Sequence, residues 1–249
     1  MSAISPKTRI ILEVCVDDVA GLEAAIAGGA DRIELCSALE AGGLSPSPGL
    51  LAAASTSPIP VFAMIRPRAG DFPFNERDVT AMLRDIDAVR SAGLAGVVLG
   101  AGLADGSLDV EVLERLCRAS AGLGKTLHRA VDLCPDQVAA VDIAIELDFD
   151  RILSSGGAPN AFEGLETLKA MNLAASGRLS IMPGSGITAE NAASVVSVTG
   201  AREVHASCSS YEAWANKRIG AMGFAGKSRR YTDVDKVARL RRVLDVAGR

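Results

Sequence analysis

GADRIELC (residues 29–36) recurs in altered form as DFDRILSSG (148–156) and GAREVHASC (200–208). Each copy places two adjacent charged residues before a short aliphatic run and ends in small or polar residues. A recurring entry of this kind is typical of folds built from copies of one structural unit. The sequence therefore indicates a chain of repeated strand-and-helix units.

Short β-branched or aliphatic runs start roughly every 20 to 30 residues, which is the length of a βα unit. There are eight: RIILEVC (9–15), DRIELC (31–36), VFAMIR (61–66), AGVVLG (95–100), KTLHR (125–129), DRILSS (150–155), RLSIMPG (178–184) and REVHAS (202–207). Segments with helical spacing of apolar residues lie between them. They include VAGLEAAIAGG (19–29), ERDVTAMLRDIDAVRSAG (76–93) and DQVAAVDIAIEL (136–147).

Eight such units predict the α/β class and a (β/α)8 TIM barrel, with a doubly wound open sheet as the alternative. We expect one domain, with the barrel over residues 9–210 and a C-terminal extension over 211–249. A final helix, residues 233–247, is expected outside the barrel.

The composition excludes several classes of protein. With 49% hydrophobic and 22% charged residues, the chain is globular rather than disordered. A net charge of -4 and a pI near 5.3 argue against a nucleic-acid-binding protein, which needs a basic face. The basic clusters KSRR (227–230) and RLRR (239–242) are interpreted as solvated surface.

Membrane insertion and secretion are not indicated either. Residues 41–65 carry no charge, but the prolines at 46, 48, 58 and 60 exclude one continuous spanning helix. The first ten residues, MSAISPKTRI, contain no apolar run typical of a secretion signal. We therefore expect a cytoplasmic protein without membrane partners.

Alternation along the strands turns several polar side chains toward the barrel axis. Those at or near the carboxyl ends of five strands are Glu13, Glu34, Arg66, His128 and His205. Active sites of TIM barrels are built at this end, so we interpret these residues as a functional site. A structural ion-pair network is the alternative, and Arg32 and Glu203, earlier on their strands, fit that role alone.

The stretch KTLHRAVDLC (125–134) adds Arg129 and Asp132 beside His128. A histidine near carboxylates supports acid-base chemistry, with Arg66 or Arg129 binding an anion. Asp132 is expected to orient His128 or to cap the next helix. We predict that His128 transfers protons, with a neighbouring carboxylate holding its pKa near the working pH.

Two glycine-rich turns follow the sixth and seventh strands, SSGGA (154–158) and MPGSGIT (182–188). Backbone N–H groups in such turns bind anions, and TIM barrels often bind phosphate there. Glycine also serves ordinary tight turns. The predicted anion-binding residues are Ser155, Gly156, Gly184, Ser185, Gly186 and Ser207.

Two loops are longer than a simple connection requires, SALEAGGLSPSPG (37–49) and RPRAGDFPFNE (66–76). Long loops on the catalytic rim of a barrel commonly act as lids or contact the substrate. For Phe72 and Phe74 an interface between copies of the chain is the alternative, so a homo-oligomer is also considered.

The five cysteines, Cys15, Cys36, Cys117, Cys134 and Cys208, contain no C-x-x-C pair and are odd in number. Neither a zinc ribbon nor a disulfide framework is indicated. Cys15 and Cys36 both project inward on neighbouring strands, where they could bind Cu(I) or pack as small apolar side chains. No motif indicates an organic cofactor.

The segments LEVCVDD, GGADRIELCSALEAGGLSPS, IRPRAGDF, KTLHRAVD, RILSSGG, MPGSGI and EVHASC, in order from residue 12 to 208, resemble the CutC copper homeostasis family. The resemblance implies a (β/α)8 barrel and a cytoplasmic protein linked to copper tolerance or trafficking. It also implies Cu(I) binding at Cys15 and Cys36. The mouth that it implies contains Glu13, Glu34, Arg66, His128, Arg129, Asp132 and His205.

Two functions follow from these observations. The first is a copper homeostasis protein that binds Cu(I) at the barrel mouth. The second is an enzyme that performs acid-base chemistry on a small phosphorylated or carboxylated substrate. The expected partner is accordingly a copper ion or a small anionic ligand.

Overall fold

Eight parallel strands form the central sheet of the computed structural model, which describes residues 9–248. Residues 1–8 and residue 249 lie outside this range. Residues 1–8 make up most of the segment MSAISPKTRI, on which the prediction of a cytoplasmic location partly rests. The strands are β1 (Ile11–Val16), β2 (Arg32–Leu35), β3 (Val61–Met64), β4 (Gly96–Leu99), β5 (Gly124–Leu127), β6 (Arg151–Ser154), β7 (Ser180–Pro183) and β8 (Glu203–Ala206). All eight predicted strands are therefore present.

Helices follow the first seven strands and pack on the outside of the sheet. They are α1 (Val19–Ala27), α2 (Pro48–Ala54), α3 (Glu76–Ser91), α4 (Val110–Ala119), α5 (Ala139–Glu146), α6 (Leu165–Ala175) and α7 (Ala192–Thr199). Their starts follow ordinary capping chemistry: Asp18 accepts from the backbone of α1, and Asn75 forms a capping box with Asp78 in α3.

The strands are hydrogen-bonded in the order β7-β6-β5-β4-β3-β2-β1-β8, and β7 contacts β8. The sheet is thus a nearly closed (β/α)8 barrel, which confirms the predicted fold. Because all strands are parallel, their carboxyl ends and the loops that follow them meet at one rim.

The two faces of the strands divide as the alternation predicted. Side chains such as Leu12, Val14 and Ala63 pack outward into the large core beneath the helices. A smaller apolar cluster made by Cys36, Phe62, Met64, Val98 and the partly buried Leu39 lies apart from this core. Charged side chains also lie near this cluster, among them Arg32 and Arg151, which contact Phe62.

The C-terminal extension contains a hairpin that the sequence did not predict. Its strands, β9 (Ser209–Ala213) and β10 (Ser228–Thr232), pair antiparallel around a short helix, α8 (Arg218–Ala221). Their side chains are mostly polar and partly exposed, so they lack the apolar alternation that identifies a half-buried strand.

The predicted final helix is present as α9 (Val234–Ala247) and packs against α7, α1 and β1. Its buried Arg241 donates from Nη1 to the carbonyl of Ile10 at 2.9 Å and to Asp31 Oδ2 at 2.6 Å. The same carboxylate oxygen accepts from the backbone N–H of Leu12 at 2.9 Å. Arg241 therefore fastens α9 to the amino-terminal end of β1.

An ion network crosses the barrel interior below the rim. Arg32 contacts the carboxylates of both Glu13 and Glu203, and Arg151 Nε lies 3.2 Å from Glu203 Oε2. The guanidinium groups of Arg32 and Arg151 also lie 5.4 and 4.7 Å from the centroid of the Phe62 ring. The plug role predicted for Arg32 and Glu203 fits this arrangement.

Glu13 is the fully buried member of this network. Burial by itself would raise the pKa of a carboxyl, but the charge of Arg32 and the interactions with His205 outweigh it and lower the pKa of Glu13 to about 2. The carboxylate is therefore charged throughout the physiological range.

Substituting Arg241→Met should lower the free energy of unfolding by about 2 kcal/mol, because the carbonyl of Ile10 and the carboxylate of Asp31 each lose one donor. Urea titration measures the effect. Arg242→Met changes an exposed neighbour on the same helix and should stay within about 0.5 kcal/mol of the wild type. Equal stability of the two variants would contradict the anchoring role of Arg241.

Glu13→Gln should destabilise the protein by about 3 kcal/mol at neutral pH, because it leaves the buried charge of Arg32 partly unpaired. The folded-state pKa of about 2 lies below the ordinary value of 4.5. The contribution of the carboxylate is thus complete above pH 4.5 and is lost as the pH falls toward 2.

Urea titrations of wild type and Glu13→Gln across this pH window test the prediction, since the difference in unfolding free energy should shrink toward low pH. Asp148→Asn serves as the control, because it removes only the exposed partner of Lys125 and should change stability little. A difference that stays constant with pH would refute the assignment to Glu13.

Candidate functional site

Glu13 also positions a histidine at the barrel mouth. The register of β1 and β8 places Glu13 opposite His205, and Glu13 Oε1 lies 2.8 Å from His205 Nδ1. A carboxylate bonded to one ring nitrogen fixes the orientation of the imidazole and leaves the other nitrogen for a ligand. That other atom, Nε2, lies 3.8 Å from Glu34 Oε2.

Cys15, Glu34 and His205 form a compact group of potential ligands. The register of β1 and β2 pairs Cys15 with Glu34. One ligand atom from each of the three buried residues lies within 4.8 Å of the other two. The sequence placed Cys15 in a metal site and the other two in an acid-base site, whereas the structure brings all three together.

The charges in this group are set by burial and by proximity. Burial raises the pKa of Glu34 because it disfavours the carboxylate, and the charge of Glu13 adds to the effect. Burial lowers the pKa of His205, but the attraction of Glu34 and Cys15 outweighs it, so the pKa lies above its ordinary value. Glu34 therefore keeps its proton up to a higher pH than an ordinary glutamic acid does.

Cys36 lies just beyond β2 and outside this group. It is fully buried against Phe62, Met64 and Val98, and its Sγ lies 3.5 Å from Glu34 Oε2. Burial and the charge of Glu34 raise the pKa of the thiol well above its ordinary value. Cys117, Cys134 and Cys208 are free thiols that pack in the outer core.

His128 caps the short 3-10 helix Arg129–Leu133, with Nδ1 accepting from Ala130 N at 3.2 Å. The ring is 3% exposed, packs on Gly100, and lies 5.0 Å from the Phe72 ring. Burial, assisted by the charge of Arg66, lowers the pKa of His128 to about 3. The prediction that a carboxylate holds this pKa near the working pH is therefore wrong, and His205 has the carboxylate partners instead.

Asp132 turns away from His128 toward the loop after β6. Its carboxylate accepts from Arg129 Nε at 2.8 Å, Ser154 Oγ at 2.6 Å, Ser155 N at 3.0 Å and Gly157 N at 3.2 Å. The N–H of Gly156 donates to Ser154 Oγ at 2.8 Å. The predicted anion cradle at Ser155 and Gly156 thus surrounds a carboxylate of the chain itself.

The second glycine-rich turn lies at the mouth. Ser185, Gly186 and Ser207 line the main cavity. Gly184 lies behind them, where an added Cβ would come within 2.4 Å of Leu153. Ser185 has a φ of 73° and its hydroxyl donates to the carbonyl of Pro159 at 3.0 Å. Of the predicted anion-binding residues, Ser185, Gly186 and Ser207 remain available to a ligand in the cavity.

Arg66 ties the two long loops together. Its Nη1 donates to the carbonyls of Ala41 and Gly43, both at 3.1 Å, and its Nη2 donates to the carbonyl of Gly70 at 2.7 Å. The guanidinium lies 5.0 Å from the centroid of the Phe72 ring. The loops predicted as rim elements therefore form one wall of the mouth.

A cavity of about 540 Å³ opens at the carboxyl ends of the strands. Glu34, Arg66, His128, Arg129 and His205 all line it. Sequence reasoning missed a further set of cations from the C-terminal extension that also line it, Arg230, Lys236 and Arg239. The predicted solvated face is wrong for Arg241, which is buried, whereas Arg239 is exposed and Arg230 is half-buried although both line the cavity. No pattern in KSRR or RLRR distinguishes these positions from one another.

Among residues 9–248, none of the helices combines the length and the apolar character needed to span a bilayer.

Known proteins resemble this chain over most of its length. The CutC family model matches residues 10–210. The family protein CutC of Sinorhizobium medicae is 59% identical over 237 residues, which covers 95% of this chain and 97% of the relative. The family protein CutC of Caulobacter vibrioides is 53% identical over 232 residues, which covers 92% and 95%.

Solved structures agree with the sequence comparisons. The CutC crystal structure from Streptococcus agalactiae superimposes with a TM-score of 0.76 at 32% identity and covers 80% of this chain and 98% of its own. Thiamine phosphate pyrophosphorylase from Pyrococcus furiosus, at 16% identity and a TM-score of 0.57, shares the fold alone. With a family model that spans four fifths of its sequence and relatives above 50% identity, the chain belongs to the CutC family.

Proposed function

We propose that this protein binds Cu(I) as its cargo at the barrel mouth, with Cys15 and His205 as the ligands. The observation that carries the proposal is the compact group of Cys15, Glu34 and His205, in which Glu13 holds the far nitrogen of the imidazole. A carboxylate behind a histidine is the arrangement that orients and strengthens a metal-binding imidazole. The Streptococcus agalactiae relative has been assigned to copper homeostasis, which supports the same metal.

The chemistry of the donors fits Cu(I). A thiolate is a soft ligand and an imidazole suits copper, whereas a carboxylate prefers hard cations. Glu34 therefore ranks below the thiol and the imidazole as a ligand for this ion. Two ligands, Cys15 and His205, are then sufficient for a soft monovalent cation.

Cys36 is less suited to the role that the sequence suggested. It is not part of the compact group formed by Cys15, Glu34 and His205. Its contacts are with an apolar cluster as well as with Glu34. The Cys15–Cys36 pair is therefore the alternative ligand set, and variants of each residue distinguish the two.

A reducing, cytoplasmic location is part of the proposal. The five cysteines are free thiols in the structure. Such thiols persist in a compartment where glutathione keeps them reduced. Cu(I), the reduced form of copper, is also the form that thiolates select.

An enzyme that acts on a small anionic substrate is the second candidate. The observation that favours it is the cavity, whose volume of about 540 Å³ far exceeds the space of one ion. Its lining includes several cations and the titratable pair Glu34 and His205.

The copper proposal predicts a ranking of affinities, measured by competition with a Cu(I) chelating probe under anaerobic conditions. Cys15→Ser should weaken binding by about 100-fold or more, since loss of a ligand exceeds the loss from an outer partner. His205→Asn should weaken it similarly, because Asn retains a donor toward Glu13 but lacks Nε2. Cys36→Ser should bind like the wild type.

Cys117→Ser is the matched control for loss of a buried thiol, and it should leave the affinity unchanged. Equal weakening by Cys15→Ser and Cys36→Ser, without an effect of His205→Asn, would replace the proposed ligands by the thiol pair. Wild-type affinity in all four variants would refute a copper site at the mouth.

A further inference from the structure

Unpartnered polar atoms are concentrated at the cavity. Within residues 9–248, five buried side-chain nitrogen or oxygen atoms lack a hydrogen-bond partner. Three of them belong to residues that line the cavity: Glu34 Oε1, Arg66 Nε and His128 Nε2. Leaving a buried polar atom unpaired is unfavourable, so a cluster of three at one wall indicates an absent partner.

Arg66 presents a single free donor. Its two terminal nitrogens are held by the backbone carbonyls of Ala41, Gly43 and Gly70, so the guanidinium is fixed in place. Arg66 is only 6% exposed. Among the described residues, no carboxylate forms a salt bridge with it. A buried cation without a counter-charge is strongly disfavoured, and an anionic ligand would supply that charge.

His128 presents a second donor beside it. Because Nδ1 accepts from the backbone of Ala130, the proton of the neutral ring is on Nε2. The pKa of about 3, lowered mainly by burial, keeps the ring neutral under physiological conditions. Arg66 and His128 both contact the ring of Phe72, and all three residues line the cavity.

We infer that the cavity binds a small organic acid whose carboxylate accepts hydrogen bonds from Arg66 Nε and His128 Nε2. Two N–H donors match the two oxygens of a carboxylate. The site is distinct from the Cu(I) ligands and does not depend on them. It gives the second candidate function a substrate class.

The rest of the cavity suits the same ligand class. Apolar side chains from several elements, including Leu39, Met64 and Leu153, offer contacts to a carbon skeleton. Arg129, Arg230, Lys236 and Arg239 add positive charge at the lining, and Glu190 pairs with Arg239 at 3.0 Å. The volume of about 540 Å³ lies within the range of about 300 to 1,000 Å³ typical of small-molecule sites.

The test uses the full chain freed of metal with a chelator, so that copper contributes nothing to the result. Succinate is the probe, its neutral diamide is the uncharged counterpart, and sodium chloride at equal ionic strength controls for screening. We expect millimolar succinate to raise the melting temperature and to give a saturable calorimetric titration, with neither effect from the diamide.

His128→Asn is the decisive variant. Asn is a good helix N-cap and can accept from Ala130 N, so it preserves the local structure while removing the Nε2 donor. Its affinity for succinate should fall about 10-fold or more, the loss of one hydrogen bond to a charged group. Arg66→Lys would also remove a donor, but it breaks three bonds to the loops and can unfold the rim.

Arg178→Gln is the control for loss of a cation, because Arg178 precedes β7 at the opposite end of the barrel and pairs with Asp142 on the surface. It should bind succinate like the wild type. Absence of succinate binding, or equal affinity in His128→Asn and the wild type, would overturn the inference. Inorganic phosphate that binds in a His128-dependent way while succinate does not would overturn the assignment to carboxylates.

Discussion

The buried carboxylate of Glu13 is the interaction on which the mouth of this barrel depends. It lies in the interior with no exposure, where a lone charge would be strongly disfavoured, and it is sustained by contacts with Arg32 and His205. Its second oxygen fixes the imidazole of His205, which places Nε2 near Cys15 and Glu34. The ion network below the rim and the group of Cys15, Glu34 and His205 are therefore connected through Glu13. The charge of Glu13 sets the orientation of His205 within that group.

The same charge balance explains the state of Glu34. Two carboxylates, Glu13 and Glu203, are matched by two guanidinium groups, Arg32 and Arg151, lower in the barrel. Glu34 is left with His205 as its charged neighbour at 3.8 Å. Burial then dominates and raises its pKa, although it lies only two residues from Arg32 in the sequence.

The sequence predicted which residues face the barrel axis but not which of them meet. Period-two alternation depends on each strand alone, and it correctly turned Glu13, Cys15 and Glu34 inward. Contacts between strands depend on register, which neither strand encodes by itself. Register pairs Cys15 with Glu34, whereas the prediction paired it with Cys36 because both thiols were expected to project inward on neighbouring strands.

For His128, proximity in the sequence was also a poor guide to which side chains make contact. The short 3-10 helix that follows it turns the carboxylate of Asp132 toward Arg129 and the loop after β6, so Asp132 does not pair with His128 despite their proximity in the sequence. The polar hairpin after β8 had no apolar pattern to reveal it, and the return of Arg230 to the mouth was hidden for the same reason. These features depend on tertiary contacts rather than on local periodicity.

The unpartnered atoms at the mouth finally indicate that a copper ion alone does not complete this site. Arg66 Nε and His128 Nε2 are donors without an acceptor. The proposed Cu(I) ion, held by Cys15 and His205, would offer neither of them an acceptor. The carboxylate ligand that we infer would supply these acceptors and a charge to balance Arg66, so the two proposals assign different occupants to the cavity and to the thiol–imidazole pair.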